Sequence, residues 1–221
     1  SSGYDILADI HAALLEALKA GLTPRQFAAR LTPVLQDKGW WGRQPAVDPQ
    51  DGQPKWAQLG SPRRLRTIFD VNMRVSYATG HWASFERTRA ARPLLRYVCI
   101  LDEATRPEHR ARHNLVLPID HPYWNVWAPP CGWNCRCTLQ SLSPRDVERL
   151  TAEGEKLFFE PPSDVWRGYL NKRTGEVTRV PQGIDPGWAY NPGKAGFTEL
   201  VRAARTKMDT GPPSPTEPFA R

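Results

Sequence analysis

Residues 102–137 read DEATRPEHRARHNLVLPIDHPYWNVWAPPCGWNCRC and hold most of the metal-ligand chemistry of the chain. His109 and His113 are four residues apart, so on a helix both rings would project from one face. Cys135 and Cys137 are two residues apart, a spacing that a tight turn brings onto one ion. Thiolate sulfur and imidazole nitrogen are the ligands that zinc prefers, in a tetrahedral set. The stretch therefore predicts a small zinc knuckle.

The predicted ligand set leaves its fourth position open. We expect zinc to be held by His109, His113, Cys135 and Cys137. Cys131 is the alternative to His113 as the fourth ligand. Three of the four cysteines fall within seven residues, which favours a metal site in a reducing compartment over a disulfide network. A Cys131–Cys135 disulfide is the alternative if the protein acts outside the cell. Cys99 lies on a predicted strand and is interpreted as a core residue.

The first sixty residues predict a helical hairpin followed by a loop. Apolar residues recur at three- and four-residue steps over 4–20, as on an amphipathic helix. Thr23 and Pro24 give an N-cap and a proline at the first position of a second helix. The segment 39–60 is rich in Gly, Pro and Asp, and we interpret it as a long loop. We expect this loop to expose Trp40, Trp41 and Trp56.

The rest of the chain predicts a long basic helix and a small sheet. The helix runs from Arg63 to about Arg92 and ends before Pro93. Runs rich in β-branched and aliphatic residues then predict strands at 94–101, 115–117 and 138–142. Farther along, we expect a helix at 145–153, a hairpin at 166–180 and a helix at 197–207.

We therefore predict an α+β fold, in which an N-terminal helical hairpin and a long basic helix precede a small antiparallel sheet with a Cys/His knuckle. The chain divides into a helical region and loop at 1–60, a main domain at 61–208 and a proline-rich disordered tail at 209–221. No apolar run approaches the ~20 residues of a membrane-spanning helix, so no membrane anchor is expected.

The chain is basic, with a formal net charge of +7. The segment from Arg63 to Arg112 contains eleven arginines, five acidic residues and no lysine. Arginine presents a planar fork of donors that suits phosphate, so double-stranded DNA is one expected partner. The alternative is a solvated helix face beside an acidic protein. The predicted contact residues are Arg63, Arg64, Arg66, Arg74, Arg87 and Arg89.

The same region also permits an enzymatic interpretation. Asp102 with His109, beside Arg106, resembles part of a metal-dependent nuclease site, and a thiol near a base permits a nucleophile. Such a nuclease keeps an open metal position, however, and a set of two cysteines and two histidines closes it. We therefore predict a structural metal site and no enzymatic activity.

Two stretches of the chain resemble a known family. They read SPRRLRTIFDVNMRVSYATGHW (61–82) and RPLLRYVCILDEATRPEHRARHNLVLPIDHPYWNVWAPPCGWNCRC (92–137). They are similar to the phage Mu F-like minor head proteins, which are related to the SPP1 gp7-type head morphogenesis proteins. The segment 183–193, GIDPGWAYNPG, resembles the Mu F-type ending. The positions that fit the family pattern in order are Asp102, Arg106, Pro107, His109, Trp124, Pro129, Pro130, Cys135, Arg136 and Cys137.

The resemblance implies a minor head protein of a tailed phage that acts in head morphogenesis near the portal, with portal and capsid proteins as partners. It implies a place in the virion head, reached from the host cytoplasm during assembly, and packaging in contact with DNA. The segment 61–208 would then be the head morphogenesis domain. The alternative is a metal-dependent nuclease or toxin-like effector delivered with the phage DNA.

Two positions depart from the family pattern. The gp7-type relatives carry a C-x2-C pair where this chain has Arg106 and His109. One thiolate is therefore missing, and His113 or Cys131 must replace it. The family glycine after the second histidine is Asn114 here. Asparagine tolerates positive φ better than most residues, so we expect the turn to persist.

Overall fold

The long helix α3 (Pro62–Thr88) contributes to two hydrophobic cores. A computed structural model of the chain describes residues 2–47, 52–171 and 174–195. Leu65 and Phe69, in the N-terminal half of α3, pack into a helical core. Trp82 and Phe85, in its C-terminal half, pack into a second core that includes the sheet. One helix thus connects the two parts of the molecule.

The predicted N-terminal hairpin is formed by α1 (Ser2–Ala20) and α2 (Pro24–Asp37). Thr23 caps α2 through a reciprocal pair of hydrogen bonds with Gln26, because the Thr23 hydroxyl accepts from one backbone N–H and the Gln26 side chain accepts from the other. Burial of the apolar stripes joins the helices to α3. The buried residues are Ile6, Ile10, Leu14, Ala17, Phe27, Leu31 and Leu35.

The interpretation of 39–60 as a loop is wrong, because this segment contains a β-hairpin. Strand β1 (Arg43–Val47) pairs antiparallel with β2 (Pro54–Gln58). The strands are largely exposed and polar, so they lack the alternation that identifies a half-buried strand. Trp56 is exposed as expected, at 67%. Trp40 and Trp41 are instead half-buried against the helical core.

The predicted antiparallel sheet has three strands. β3 (Leu94–Val98) lies in the centre, between β4 (Val116–Pro118) and β5 (Thr138–Leu142). Its register against β5 runs from Leu94↔Leu142 to Val98↔Thr138. Leu95 and Tyr97 are fully buried, so β3 forms the centre of the second core.

The remaining elements surround this sheet. They are α4 (Pro107–Arg110), α5 (Trp124–Trp127), α6 (Pro144–Ala152), β6 (Trp166–Leu170) and β7 (Val177–Pro181). α6 matches the predicted helix, and β6 and β7 form the predicted hairpin. The helix predicted at 197–207 and the tail at 209–221 lie outside the described residues. Among the helices described, none combines the length and apolarity that crossing a bilayer requires.

Candidate metal centre

Three of the predicted ligands converge in the structure. His109 lies on α4, and Cys135 and Cys137 precede β5; their ligand atoms all lie within 4.8 Å of one another. His109 Nδ1 is 3.7 Å from the Cys135 sulfur and 3.5 Å from the Cys137 sulfur. A tetrahedral zinc ion, with Zn–S of about 2.3 Å and Zn–N of about 2.0 Å, separates sulfur and nitrogen by about 3.5 Å. The three side chains therefore have the spacing of ligands that share one ion.

The His109 ring is held in the orientation that a metal ligand needs. Its Nε2 lies 2.8 Å from the Gly183 carbonyl oxygen. A carbonyl can only accept, so Nε2 carries the proton and the Nδ1 lone pair faces the two thiols. Metal-binding histidines are commonly fixed in this way by a backbone carbonyl. Trp127 packs edge-on against the ring, which is 2% exposed and cannot easily turn away.

The cysteines are presented by a tight turn. The Cys135 N–H donates to the Gly132 carbonyl at 3.2 Å, and Asn134 adopts a positive φ of 59°. Gly132 is required here because an added Cβ would collide with the Asp185 carboxylate. That carboxylate also accepts from the Trp133 N–H at 2.7 Å. Asp185 therefore fixes the shape of the turn.

Two ion pairs flank the centre. Arg106 donates from both terminal nitrogens to Asp185, at 3.0 and 2.8 Å. Arg136 pairs with Asp102 through two contacts of 2.7 and 2.5 Å and holds the pKa of that carboxyl at about 2. Asp102 is thus engaged by an arginine. The family resemblance singled out Arg106 and Arg136, but it did not identify Asp185 as a site residue. The sequence signal for Asp185 was the GIDPG stretch at 183–187, which resembles the family.

The thiols differ in acidity because they donate to one another. Hydrogen bonds from Cys131 and Cys137 lower the pKa of Cys135. The hydrogen bond that Cys137 makes to Cys135 raises the Cys137 pKa. Burial raises the pKa of the Cys131 thiol. All four cysteines are reduced, and Cys135 is the most acidic thiol among Cys131, Cys135 and Cys137.

His113, the predicted fourth ligand, does not join this group. The same-face argument needed a helix that continues to His113, but α4 ends at Arg110. His113 Nδ1 instead accepts a hydrogen bond from the Cys99 backbone N–H at 3.1 Å. Asn114 follows with φ of 74°, so the expected turn at that position is confirmed. Cys131 is buried, and it too lies outside the group of three.

At least four of the six arginines predicted to contact a partner already have partners within the protein. Arg64 donates to two backbone carbonyls, and Arg74 donates to the Cys135 carbonyl at 3.3 Å. Arg66 pairs with Asp70 and Arg89 pairs with Asp120, both at 2.7 Å. Much of the basic charge of α3 therefore has a structural role.

A cavity of about 450 Å³ opens beside the centre. It lies between α3 and the cysteine segment, and Cys135 and Cys137 are among the residues that line it. Cys137 is only partly buried. The cavity therefore offers an ion a route to the thiols.

The centre lies within the region that known proteins match. The family described as "Phage Mu protein F like protein" matches residues 8–140. The "Putative capsid assembly protein F" of Escherichia phage Mu is 38% identical over 205 residues, which cover 87% of this chain and 46% of that protein. The "Mu-like prophage FluMu F protein" of Haemophilus influenzae is 32% identical over 216 residues, which cover 91% and 50%. The chain thus spans about half the length of these relatives, and no solved structure matches it.

Proposed function

The chain belongs to the family of phage Mu protein F like proteins, and we propose from this that it is a non-catalytic minor head protein acting in phage head morphogenesis. The relative from phage Mu is named for capsid assembly. The proposal extends that role to this chain. It includes a position near the portal, contacts with portal and capsid proteins, and a place in the virion after assembly in the host cytoplasm.

The observation that carries the non-catalytic part is the ligand set of the centre. Its members are one imidazole and two thiols, and a third thiol would complete the closed donor set of a structural zinc site, whereas a catalytic zinc keeps its fourth position open. Among the residues that the structure describes, the group that could hold a metal contains no carboxylate. Asp102, the acid that a nuclease interpretation needs, is paired with Arg136.

We propose zinc as the metal of this centre. The residues fit the ion in three respects: the spacing of their donor atoms, the hydrogen bond from His109 to Gly183, and the adjacent cavity. When bound, the ion would link α4 to the segment before β5. His109 itself links that site to Gly183, so three distant parts of the chain would be held together.

Contact with DNA is a finer part of the proposal, and the exposed arginines of α3 support it. Arg63 and Arg66 are exposed on the first turns of that helix. The Arg66–Asp70 pair is a surface pair within one helix, which contributes little to stability and can yield to a phosphate. Arg74 is less suited to this role because it is bonded to the Cys135 carbonyl.

Two measurements test the proposal separately. Mass spectrometry of purified phage particles should detect the protein in the virion; its absence from intact heads would contradict the head-protein assignment. Elemental analysis of the purified protein should find about one zinc per chain, and a chelator should lower the melting temperature. If the purified protein contains no metal and the chelator does not change its melting temperature, the zinc centre is contradicted. The head-protein assignment is not affected by that result.

A further inference from the structure

We propose that Cys99 is the fourth ligand of the metal centre and completes a set of three cysteines and one histidine. This inference rests on the zinc centre proposed above. The sequence suggested only a core role for Cys99, which is 6% exposed. Its position in the fold indicates more than packing.

The register of the sheet places Cys99 beside Cys137. The β3–β5 ladder ends at Val98↔Thr138, and one further step along each antiparallel strand brings the two cysteines opposite each other. Their sulfur atoms are 3.3 Å apart. Two thiolates on one tetrahedral zinc ion are about 3.8 Å apart, so this pair is close to the required spacing. Cys99, like Cys131, lies outside the group whose ligand atoms are all within 4.8 Å of one another, so its side chain would have to rotate towards the other ligands to bind the ion.

Cys99 also contacts the residue that supplies the imidazole. Its thiol donates to the His109 carbonyl at 3.1 Å. It therefore touches two of the three residues in the centre, whereas the contacts of Cys131 are with Cys135 and with the Tyr97 hydroxyl, 3.9 Å away. Cys99 is therefore the better candidate, because it contacts the Cys137 sulfur and the backbone of His109, whereas Cys131 contacts Cys135.

His113 has a defined part in this arrangement. The hydrogen bond from the Cys99 N–H to His113 Nδ1 anchors the chain where it leaves β3. The second histidine of the motif thus positions a thiol, although it does not bind the metal itself. This explains how His113 can lie beside the knuckle and outside the ligand group.

The surrounding charge suits three thiolates. A zinc ion with three thiolates and a neutral imidazole carries a net charge of −1. The Cys135 and Cys137 thiols interact electrostatically with Arg136, and the Cys135 and Cys131 thiols interact with Arg106. Arg74 lies close enough to bond the Cys135 backbone. These guanidinium groups would stabilise an anionic complex.

The absorption of the cobalt(II) complex reports the number of thiolate ligands, because each one adds to the sulfur-to-cobalt charge-transfer band. We expect Cys99→Ser to lose about one third of that absorption and to bind cobalt at least about tenfold more weakly. The matched variant Cys131→Ser should retain the charge-transfer absorption of the wild type.

The outcomes separate this inference from the zinc centre itself. Wild-type absorption in Cys99→Ser would overturn the role of Cys99 while leaving the metal centre intact. A wild-type protein that binds neither cobalt nor zinc would remove the centre altogether. If Cys99→Ser does not fold, X-ray absorption spectroscopy of zinc-loaded Cys131→Ser can identify the ligand atoms of the ion. Three sulfur ligands and one nitrogen ligand would support the role of Cys99, and two sulfur ligands would overturn it.

Discussion

The His109 Nε2–H donates to the carbonyl oxygen of Gly183 at 2.8 Å, across 74 residues of chain. The candidate metal centre therefore depends on a segment far from its ligands in sequence. Gly183 has a positive φ of 100°, and an added Cβ there would meet the Glu108 side chain at 2.6 Å. The carbonyl that orients the imidazole is thus carried by a residue that has to be glycine.

Replacement of Gly183 should weaken metal binding without touching a ligand. In Gly183→Ala, the new methyl group must displace Glu108 or the 183–185 segment, which misdirects His109. We expect zinc affinity to fall about tenfold, as for other groups that orient metal ligands. The measurement is zinc affinity by competition with a chromophoric chelator.

Gly187→Ala is the matched control for this prediction. Gly187 also has a positive φ, of 84°, but nothing lies within 4 Å of its added Cβ. Both variants carry the backbone cost of alanine at positive φ, about 1 kcal/mol, and only Gly183→Ala disturbs His109. Equal zinc affinities in the two variants would show that the Gly183 carbonyl does not orient the imidazole.

The Arg106–Asp185 pair should couple the cysteine turn to the downstream segment. In a double-mutant cycle with Arg106→Gln and Asp185→Asn, we expect a coupling free energy of about 1–2 kcal/mol, because the pair is bidentate and partly buried. The measurement is urea denaturation. The control is the Arg149–Glu153 pair, which is more exposed and should give a clearly smaller coupling. A coupling no larger than that of the control pair would contradict the structural role.

The sequence predicted the elements better than the contacts between them. Helix caps and apolar periodicity identify α1 to α3, because these signals are local. The residues of the candidate metal centre, His109, Cys135 and Cys137, were singled out by residue type and spacing, and the structure brings them together. The proximity of Cys99 to Cys137 was missed because it depends on the β3–β5 register, which no local pattern encodes. His113 was misplaced for a similar reason, since its ring position depended on where α4 ends.

The Asp102–Arg136 pair predicts a specific dependence on pH. The Asp102 carboxyl titrates at about 2 in the folded chain, against an ordinary value of 3.8, chiefly because Arg136 donates to it. Since the folded pKa is the lower one, the contribution of the pair is present above about pH 4 and is lost as the pH falls through 2. In Arg136→Gln, the Asp102 pKa should return towards 3.8.

Carbon-13 NMR titration of the Asp102 carboxyl measures this shift, with Arg145→Gln on the exposed face of α6 as the control. The difference in unfolding free energy between the wild type and Arg136→Gln should be largest above about pH 4, shrink as the pH falls through 2 and vanish only below that. An Asp102 pKa that is the same in Arg136→Gln and in the wild type would contradict the ion pair.

The basic helix predicts a salt-dependent contact with DNA. Each phosphate neutralised by an arginine adds about 0.9 to the slope of the logarithm of the binding constant against the logarithm of salt concentration. Because Arg63 and Arg66 are exposed near the start of α3, the double variant Arg63→Gln, Arg66→Gln should reduce that slope by up to about 1.8. Arg149→Gln on α6 is the control and should leave the slope unchanged. Fluorescence anisotropy with a short DNA duplex at several salt concentrations gives the slopes. An unaltered slope in the double variant would mean that these two arginines do not contact DNA.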